Sequence, residues 1–267
     1  MKFDPKTYRQ FRPRYPIALT ELWENWLKLS GAVVPAARAA DIGAGTGFST
    51  QVIASLARQI TVVEPDREML DQARTVLEPS DGHFDFICAA GGQAGLEVGA
   101  FDFVQLASSF HWMDQARVVS EVVRALKRPG LVGLCEYAFP QSAEFPELQA
   151  WITEKFLGEW QIPELKSRPP FVELAEAFGE RGRLEGWHSA HPERLGPVQV
   201  PMWYELGWTE VVGLVFSQSR FLRRLDTMTL AEGDRFRDEV RTSIYHLMGE
   251  RRASFDFHLQ AIGYWYR

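Results

Sequence analysis

The chain has 267 residues, of which 46% are apolar, and a formal net charge of −6. That length carries one domain of generous size, or one domain with a modest second lobe. The acidic balance disfavours a surface built to neutralise a nucleic-acid backbone, although arginines gather late in the chain between Arg220 and Arg252 and are expected on solvated helix faces.

Residues Ile17–Leu29 are expected to form a first helix, with Leu19, Leu22, Trp23, Trp26 and Leu27 on one stripe and Gly31 beyond its end. Ala36–Ile42 reads as a strand running into Gly43. Phe48–Arg58 follows as a helix, Ile60–Val63 as a second strand ending at Glu64, and a helix opens at Pro65-Asp66 with Met69, Leu70, Ala73, Val76 and Leu77 on one face. Phe84–Ala89 and Phe101–Leu106 are the third and fourth strands. Ala116–Leu126 is a helix, Pro129-Gly130 a turn and Leu131–Tyr137 a fifth strand. Short apolar runs alternating with helical segments are the pattern of a parallel α/β sheet.

After Phe139 the rhythm changes. Trp151, Trp160, Trp187, Trp203 and Trp208 fall in segments without strand alternation. Helices are expected over Phe171–Phe178 and Val211–Leu225, and late strands near Leu184–Ser189 and Phe255–Tyr266.

Cys88 and Cys135 both sit in apolar runs and are expected to be buried, inert thiols of a reducing compartment. No CxxC or HExxH pattern is present, so no metal site is expected. Met1–Pro16 is polar and rich in Arg and Pro, and no apolar run reaches the ~20 residues of a membrane helix. A cytoplasmic protein without a membrane partner is the expectation.

The chemistry concentrates at Asp41-Ile42-Gly43-Ala44-Gly45-Thr46-Gly47. A glycine turn between strand and helix lets the backbone approach a ligand, and the helix N-terminus carries partial positive charge. A dinucleotide fingerprint would place a third glycine where this chain has Phe48. Glu64 closes the next strand, where an acid takes both hydroxyls of a ribose.

These residues, with four passages, carry a family resemblance. Tyr8 precedes Arg12-Pro13-Arg14-Tyr15-Pro16. The glycine turn is followed by Val63-Glu64-Pro65-Asp66 and Met69-Leu70. Phe101-Asp102-Phe103-Val104 leads to Ser109-Phe110-His111-Trp112, and Leu126-Lys127-Arg128-Pro129-Gly130 precedes the fifth strand. The stretch from about Tyr8 to Phe139 resembles class I S-adenosylmethionine-dependent methyltransferases, in particular the type 11 group that includes trans-aconitate methyltransferase-like enzymes. The resemblance implies a Rossmann-like α/β fold: a mostly parallel sheet with an antiparallel last strand, helices on both faces and helical cap insertions. Residues 1–35 would form an N-terminal lid and first helix, 36–139 the cofactor-binding core, and 140–267 the last strands with the substrate cap.

Roles follow from the resemblance. Asp41, Gly43, Ala44, Gly45 and Gly47 would hold the methionine end of S-adenosylmethionine, whose product is S-adenosylhomocysteine, and Glu64 its ribose. Pro65 and Met69 would flank the adenine, although Met69 equally suits the apolar stripe of its helix. Ala90 and Gly91 would follow the third strand near the adenine, and Ala107 and Ser108 the fourth, near the reacting centre. Tyr8 would join the cofactor site as part of a lid. The group usually shows an Ala-Glu pair where this chain has Cys88-Ala89-Ala90-Gly91, and a Gln where it has Ser108, which points to a different acceptor.

Methyl transfer is an in-line displacement at a sulfonium, in which the protein supplies position, exclusion of water and sometimes a base. His111 is the candidate base, with structural packing beside Trp112 as the other reading. Tyr15, Ser109, Trp112, Trp203 and Tyr204 are candidate acceptor contacts, and each aromatic among them equally suits a core. The expected function is methylation of a small molecule on oxygen or nitrogen by a monomer or homodimer. A protein or RNA methyltransferase and a nicotinamide-dependent oxidoreductase are the alternatives.

Overall fold

The computed structural model describes residues 4–78, 83–160, 170–184 and 193–266. The chain divides into two compact units: Arg14–Ala138 with Pro169–Pro201 and His258–Arg267, and Met1–Pro13 with Phe139–Arg168 and Met202–Phe257. In chain order the first elements are α1 (Pro5–Phe11), α2 (Ile17–Leu29), β1 (Ala36–Ile42), α3 (Phe48–Ile53), β2 (Ala57–Val63), α4 (Arg67–Leu77), β3 (His83–Ile87), β4 (Phe101–Ala107), α5 (Gln115–Ala125) and β5 (Leu126–Glu136). They are followed by α6 (Pro146–Glu154), α7 (Phe171–Leu184), β6 (Glu193–Val200), β7 (Trp203–Leu206), α8 (Trp208–Phe216), α9 (Ser219–Leu225), α10 (Leu230–Met248), β8 (Ala253–Asp256) and β9 (Leu259–Tyr266).

The first unit is built on a seven-stranded sheet of order β3-β2-β1-β4-β5-β9-β6. β1 to β5 are mutually parallel, and β9 runs antiparallel to β5. This is the Rossmann-like arrangement. The far edge carries β6, antiparallel to β9, which the sequence pattern does not reveal.

Parallel strands covered on both faces read as continuous apolar runs, because every side chain needs an apolar neighbour. Val104, Leu106, Val132, Leu134 and Ile262 share one core cluster with Val118, Val119 and Val122 of α5 and Phe178 of α7. Another cluster seats α2: the Trp23 ring lies 5.9 Å from Phe103 and 5.1 Å from Trp26. A Cβ at Gly263 would stand 2.6 Å from the Trp26 ring, so the bare backbone there is what admits the indole. Burying one such indole contributes roughly 5 kcal/mol before the entropy of ordering it.

Several element boundaries differ from the sequence pattern. α3 stops at Ile53 rather than Arg58, because the Leu56 carbonyl accepts from the Ala36 N–H at 2.7 Å and Ala57 already pairs with Ala36 in the sheet. The Pro129-Gly130 turn lies inside β5, as an irregularity that shifts the register opposite Phe101 and Phe103. Strand pattern at Phe255–Tyr266 resolves into β8 and β9, which belong to different sheets and are separated at His258 by a left-handed backbone, φ 46°. The strand expected near Leu184–Ser189, with Trp187, lies outside the described residues except for Leu184, which ends α7.

The second unit is mainly helical, with β7 and β8 paired antiparallel. Aromatic rings form its core: Phe216 stacks on Phe221 at 4.6 Å and Phe221 on Phe236 at 5.2 Å, while Trp160 meets Phe221 edge-on at 5.7 Å. The helix expected over Val211–Leu225 is two helices, since the Ser217 hydroxyl donates back to the Leu214 carbonyl at 2.7 Å and ends the first. α10 has no counterpart in the periodicity reading. Its start is a capping box between Thr229 and Glu232, and its arginines pair locally, Arg237 with Asp234 and Arg241 with Asp238.

Candidate functional site

Chain order reverses at β1, whose neighbours are β2 and β4. Open α/β sheets bind ligands in the crevice at such a switch point, beyond the carboxyl ends of the strands. The turn from Gly43 to Gly47 leaves β1 there. Gly43 and Ala44 donate their N–H groups to the Val63 carbonyl at 2.8 and 3.1 Å, which docks the turn on the end of β2.

Two glycines are dictated by geometry. Gly43 has φ +77°, and a Cβ there would stand 2.5 Å from both the Met113 Cε and the Ser109 Cβ, so the segment after β4 closes directly over it. Gly45 has φ +57°, and a Cβ on it would meet nothing within 4 Å. One glycine is therefore held by packing, and the other faces open space.

Beneath the turn Asp41 is wholly buried. Its carboxylate accepts from the Ser49 and Thr50 hydroxyls, each at 2.7 Å, and from Gln105 Nε2 at 3.2 Å. Gln105 Nε2 also donates to the Ser49 carbonyl, and its Oε1 accepts from Trp23 Nε1 at 2.9 Å. Burial pushes the Asp41 carboxyl up, and the three hydrogen bonds oppose it. Asp41 thus fastens the turn from below. A polar Gln105 inside the apolar run of β4, and an indole needing an acceptor, were the sequence signals for this network.

Glu64, 9% exposed, stands at the rim. Its Oε2 accepts from the Gly45 N–H at 2.9 Å and its Oε1 from the Asp66 N–H at 3.0 Å. Burial raises its pKa above 4.5 against the pull of those two bonds. An ionised carboxylate offers about four acceptor positions, so roughly two remain beside the open space at Gly45. A ribose diol suits that acceptor set, and an adenosyl group fits the residues present.

The chain leaves β4 through Ser108, a non-glycine residue at φ 49°. Ser109 donates its hydroxyl to the Ile42 carbonyl at 2.8 Å, tying the end of β4 to the end of β1. A short 3₁₀ turn, Phe110–Trp112, follows; Phe110 meets Phe178 edge-on at 5.2 Å, and Trp112 is exposed. His111 Nδ1 lies 3.3 Å from Glu136 Oε2, at the end of β5. Tyr15 donates its hydroxyl to Ser108 Oγ at 3.0 Å and meets Tyr137 edge-on at 5.6 Å. Glu136 and Tyr137 were not singled out in the sequence.

The other candidates divide. Pro65 and Ala90 are exposed, while Ala44, Met69, Gly91 and Ala107 are buried, and a Cβ on Gly91 would press on Ile42. Cys88 corrects the expectation of two buried thiols: it is exposed, one residue past the end of β3, and its Sγ donates to the Pro65 carbonyl at 3.6 Å. Tyr8, Trp203 and Tyr204 belong to the helical unit. There Arg12 sits over the Tyr8 ring, Tyr204 packs edge-on to Phe257, and Trp203 is exposed. Among the described residues no His, Cys, Asp and Glu cluster could hold a metal, and no helix is long and apolar enough to cross a membrane.

A family model described as a methyltransferase domain matches residues 40–134. The chain is similar to an uncharacterized methyltransferase-like protein of Schizosaccharomyces pombe, 31% identical over 186 residues that take in 68% of this chain and 66% of that one. It is also similar to a Saccharomyces cerevisiae protein named probable S-adenosylmethionine-dependent methyltransferase CRG1, 28% identical over 149 residues, 54% of this chain and 49% of that one. The chain thus spans just under two thirds of the first relative and about half of the second. Among solved structures, a candidate type II methyltransferase from Anaeromyxobacter dehalogenans shares the fold at a TM-score of 0.61 and 21% identity, covering 94% of this chain and 97% of that one.

Proposed function

We propose that the chain, whose residues 40–134 match a methyltransferase-domain family model, is a class I S-adenosylmethionine-dependent methyltransferase that methylates a small-molecule acceptor on oxygen or nitrogen. One observation carries the reading: the Glu64 carboxylate is hydrogen-bonded to the Gly45 N–H at the switch point of the sheet, next to open space over a left-handed glycine. In this reading Gly43, Ala44, Gly45 and Gly47 line the methionine end of the donor, with Asp41 bracing them from below. Glu64 takes the ribose. Pro65 and Ala90 offer exposed surface to the adenine, and Ala107 and Ser108 border the reacting centre.

When bound, S-adenosylmethionine supplies an electrophilic methyl carbon on a sulfonium. The chain's own task is to orient the acceptor, exclude water and remove a proton where the nucleophile carries one. His111 is assigned that proton, with Tyr15, Ser109 and Trp112 beside the acceptor. A net charge of −6 favours a small acceptor over RNA, and the buried Phe48 in place of a glycine disfavours a dinucleotide.

The test supplies methyl-labelled S-adenosylmethionine and fractionated metabolite pools to the full chain, with Gly45→Trp as the control. The expected result is label in one metabolite class with the native chain and none with Gly45→Trp. Label confined to protein or RNA fractions would sink the small-molecule reading.

A further inference from the structure

We infer that Glu136 is a positioning residue for His111, holding the imidazole with Nδ1 protonated so that Nε2 is the basic nitrogen turned to the acceptor. The inference rests on the proposed methyl transfer with His111 as base, and deepens it.

The geometry begins with register. Ala107 of β4 pairs with Cys135 of β5, and the Ser108 N–H donates to the Cys135 carbonyl at 2.7 Å. Ser108, the first residue past β4, and Glu136, the last residue of β5, therefore both follow directly on this paired level of the sheet. Left-handed Ser108 then diverts the chain into the 3₁₀ turn, and the Phe110 ring is anchored in the core. Two residues after His111, Met113 closes over Gly43; two before it, Ser109 is bonded to the end of β1. The segment that carries His111 is thus pinned on both sides against the glycine turn.

In that setting the His111 side chain is 7% exposed and that of Glu136 17%. At 3.3 Å the Glu136 oxygen faces Nδ1. The contact is an ion-pair approach rather than an aligned hydrogen bond, and it is the negative charge beside Nδ1 that favours hydrogen on that nitrogen. Nε2 is left with the lone pair. The neighbouring negative charge also stabilises the imidazolium that forms when Nε2 takes a proton, and partial burial keeps that attraction from being screened. Tyr15, Tyr137, Cys135, Asp41 near the end of β1 and Glu64 at the end of β2 are further titratable groups toward these strand ends.

The experiment follows the imidazole nitrogens by ¹H–¹⁵N NMR in the full chain, with His111→Gln to assign the signal. The expected wild-type spectrum shows neutral His111 as the Nδ1–H tautomer. In Glu136→Gln the tautomers mix and the titration midpoint falls by about one pH unit. Glu136→Asp restores part of both effects, and serves as the second variant should Glu136→Gln lose its fold. An unchanged tautomer and midpoint in Glu136→Gln would overturn the inference. So would full turnover by Glu136→Gln on the acceptor found in the metabolite screen, where turnover at least about tenfold lower at unchanged KM for S-adenosylmethionine is expected. Failure of the native chain to bind S-adenosylhomocysteine would defeat the methyltransferase reading instead, and the NMR result stands apart from it.

Discussion

Each of the two units is held together internally by different physics. In the sheet unit, the site end of the structure hangs on directional bonds: Trp23 to Gln105, Gln105 to Asp41, Ser49 and Thr50 to Asp41, Ser109 to Ile42. In the helical unit the core is a stack of rings, Trp160, Phe216, Phe221 and Phe236, surrounded by local surface ion pairs. Ring contacts depend mainly on area and tolerate exchange of one aromatic for another. A buried polar network depends on the placement of every donor, and an orphaned member costs its full desolvation.

Substitutions in each unit put that contrast to the test. The largest effect is expected for Trp160→Ala, which removes the ring touching both Phe221 and Phe236 and lowers stability by about 3–5 kcal/mol in urea denaturation. Trp160→Phe should recover more than half of it. Asp41→Ala is expected to cost about 3 kcal/mol, because the Ser49, Thr50 and Gln105 donors lose their acceptor inside the core. Here the conservative Asp41→Glu should recover little, since one extra methylene displaces the carboxylate from all three donors. Equal recovery in both units would erase the distinction.

A pH effect sharpens it further. Burial raises the Glu64 pKa above 4.5, so in the empty protein this residue's contribution to stability is present at low pH and fades as pH rises through the raised value. Ligand binding has the opposite sign, because a ribose diol needs the ionised acceptor. Affinity for S-adenosylhomocysteine should fall toward about tenfold per unit as pH drops below that pKa, and Glu64→Gln should abolish this limb. The smallest effect belongs to Arg237→Ala on α10, an exposed local pair with Asp234, expected within about 0.5 kcal/mol of the native chain.

How much could be read in the sequence follows the same divide. The glycine turn, Glu64 and the strands around them announce themselves, because left-handed glycines and acids at strand ends have local signatures. α2 and β1 keep the bounds that their periodicity suggests, Ile17–Leu29 and Ala36–Ile42. Partners that meet only after the sheet has formed have no such signature. Glu136 looks like an ordinary strand end until β4 and β5 lie side by side. β6 is obscured by Gly196 and Pro197, which break its alternation. α10 goes unread: its apolar spacing is weak, since few of its residues are buried, and its one local signature, the Thr229-to-Glu232 capping box, is passed over. Trp203 and Tyr204 read as candidate acceptor contacts, a reading with no local signature behind it, because an aromatic residue is equally at home in a core and on a surface.

The most direct test of the account is a calorimetric titration of S-adenosylhomocysteine into the native chain and into Glu64→Ala, with NADH titrated as the control ligand. The account predicts one binding site in the native chain, affinity at least about tenfold weaker in Glu64→Ala, and no heat with NADH. Equal affinity in both proteins, or binding of NADH in place of S-adenosylhomocysteine, would contradict it.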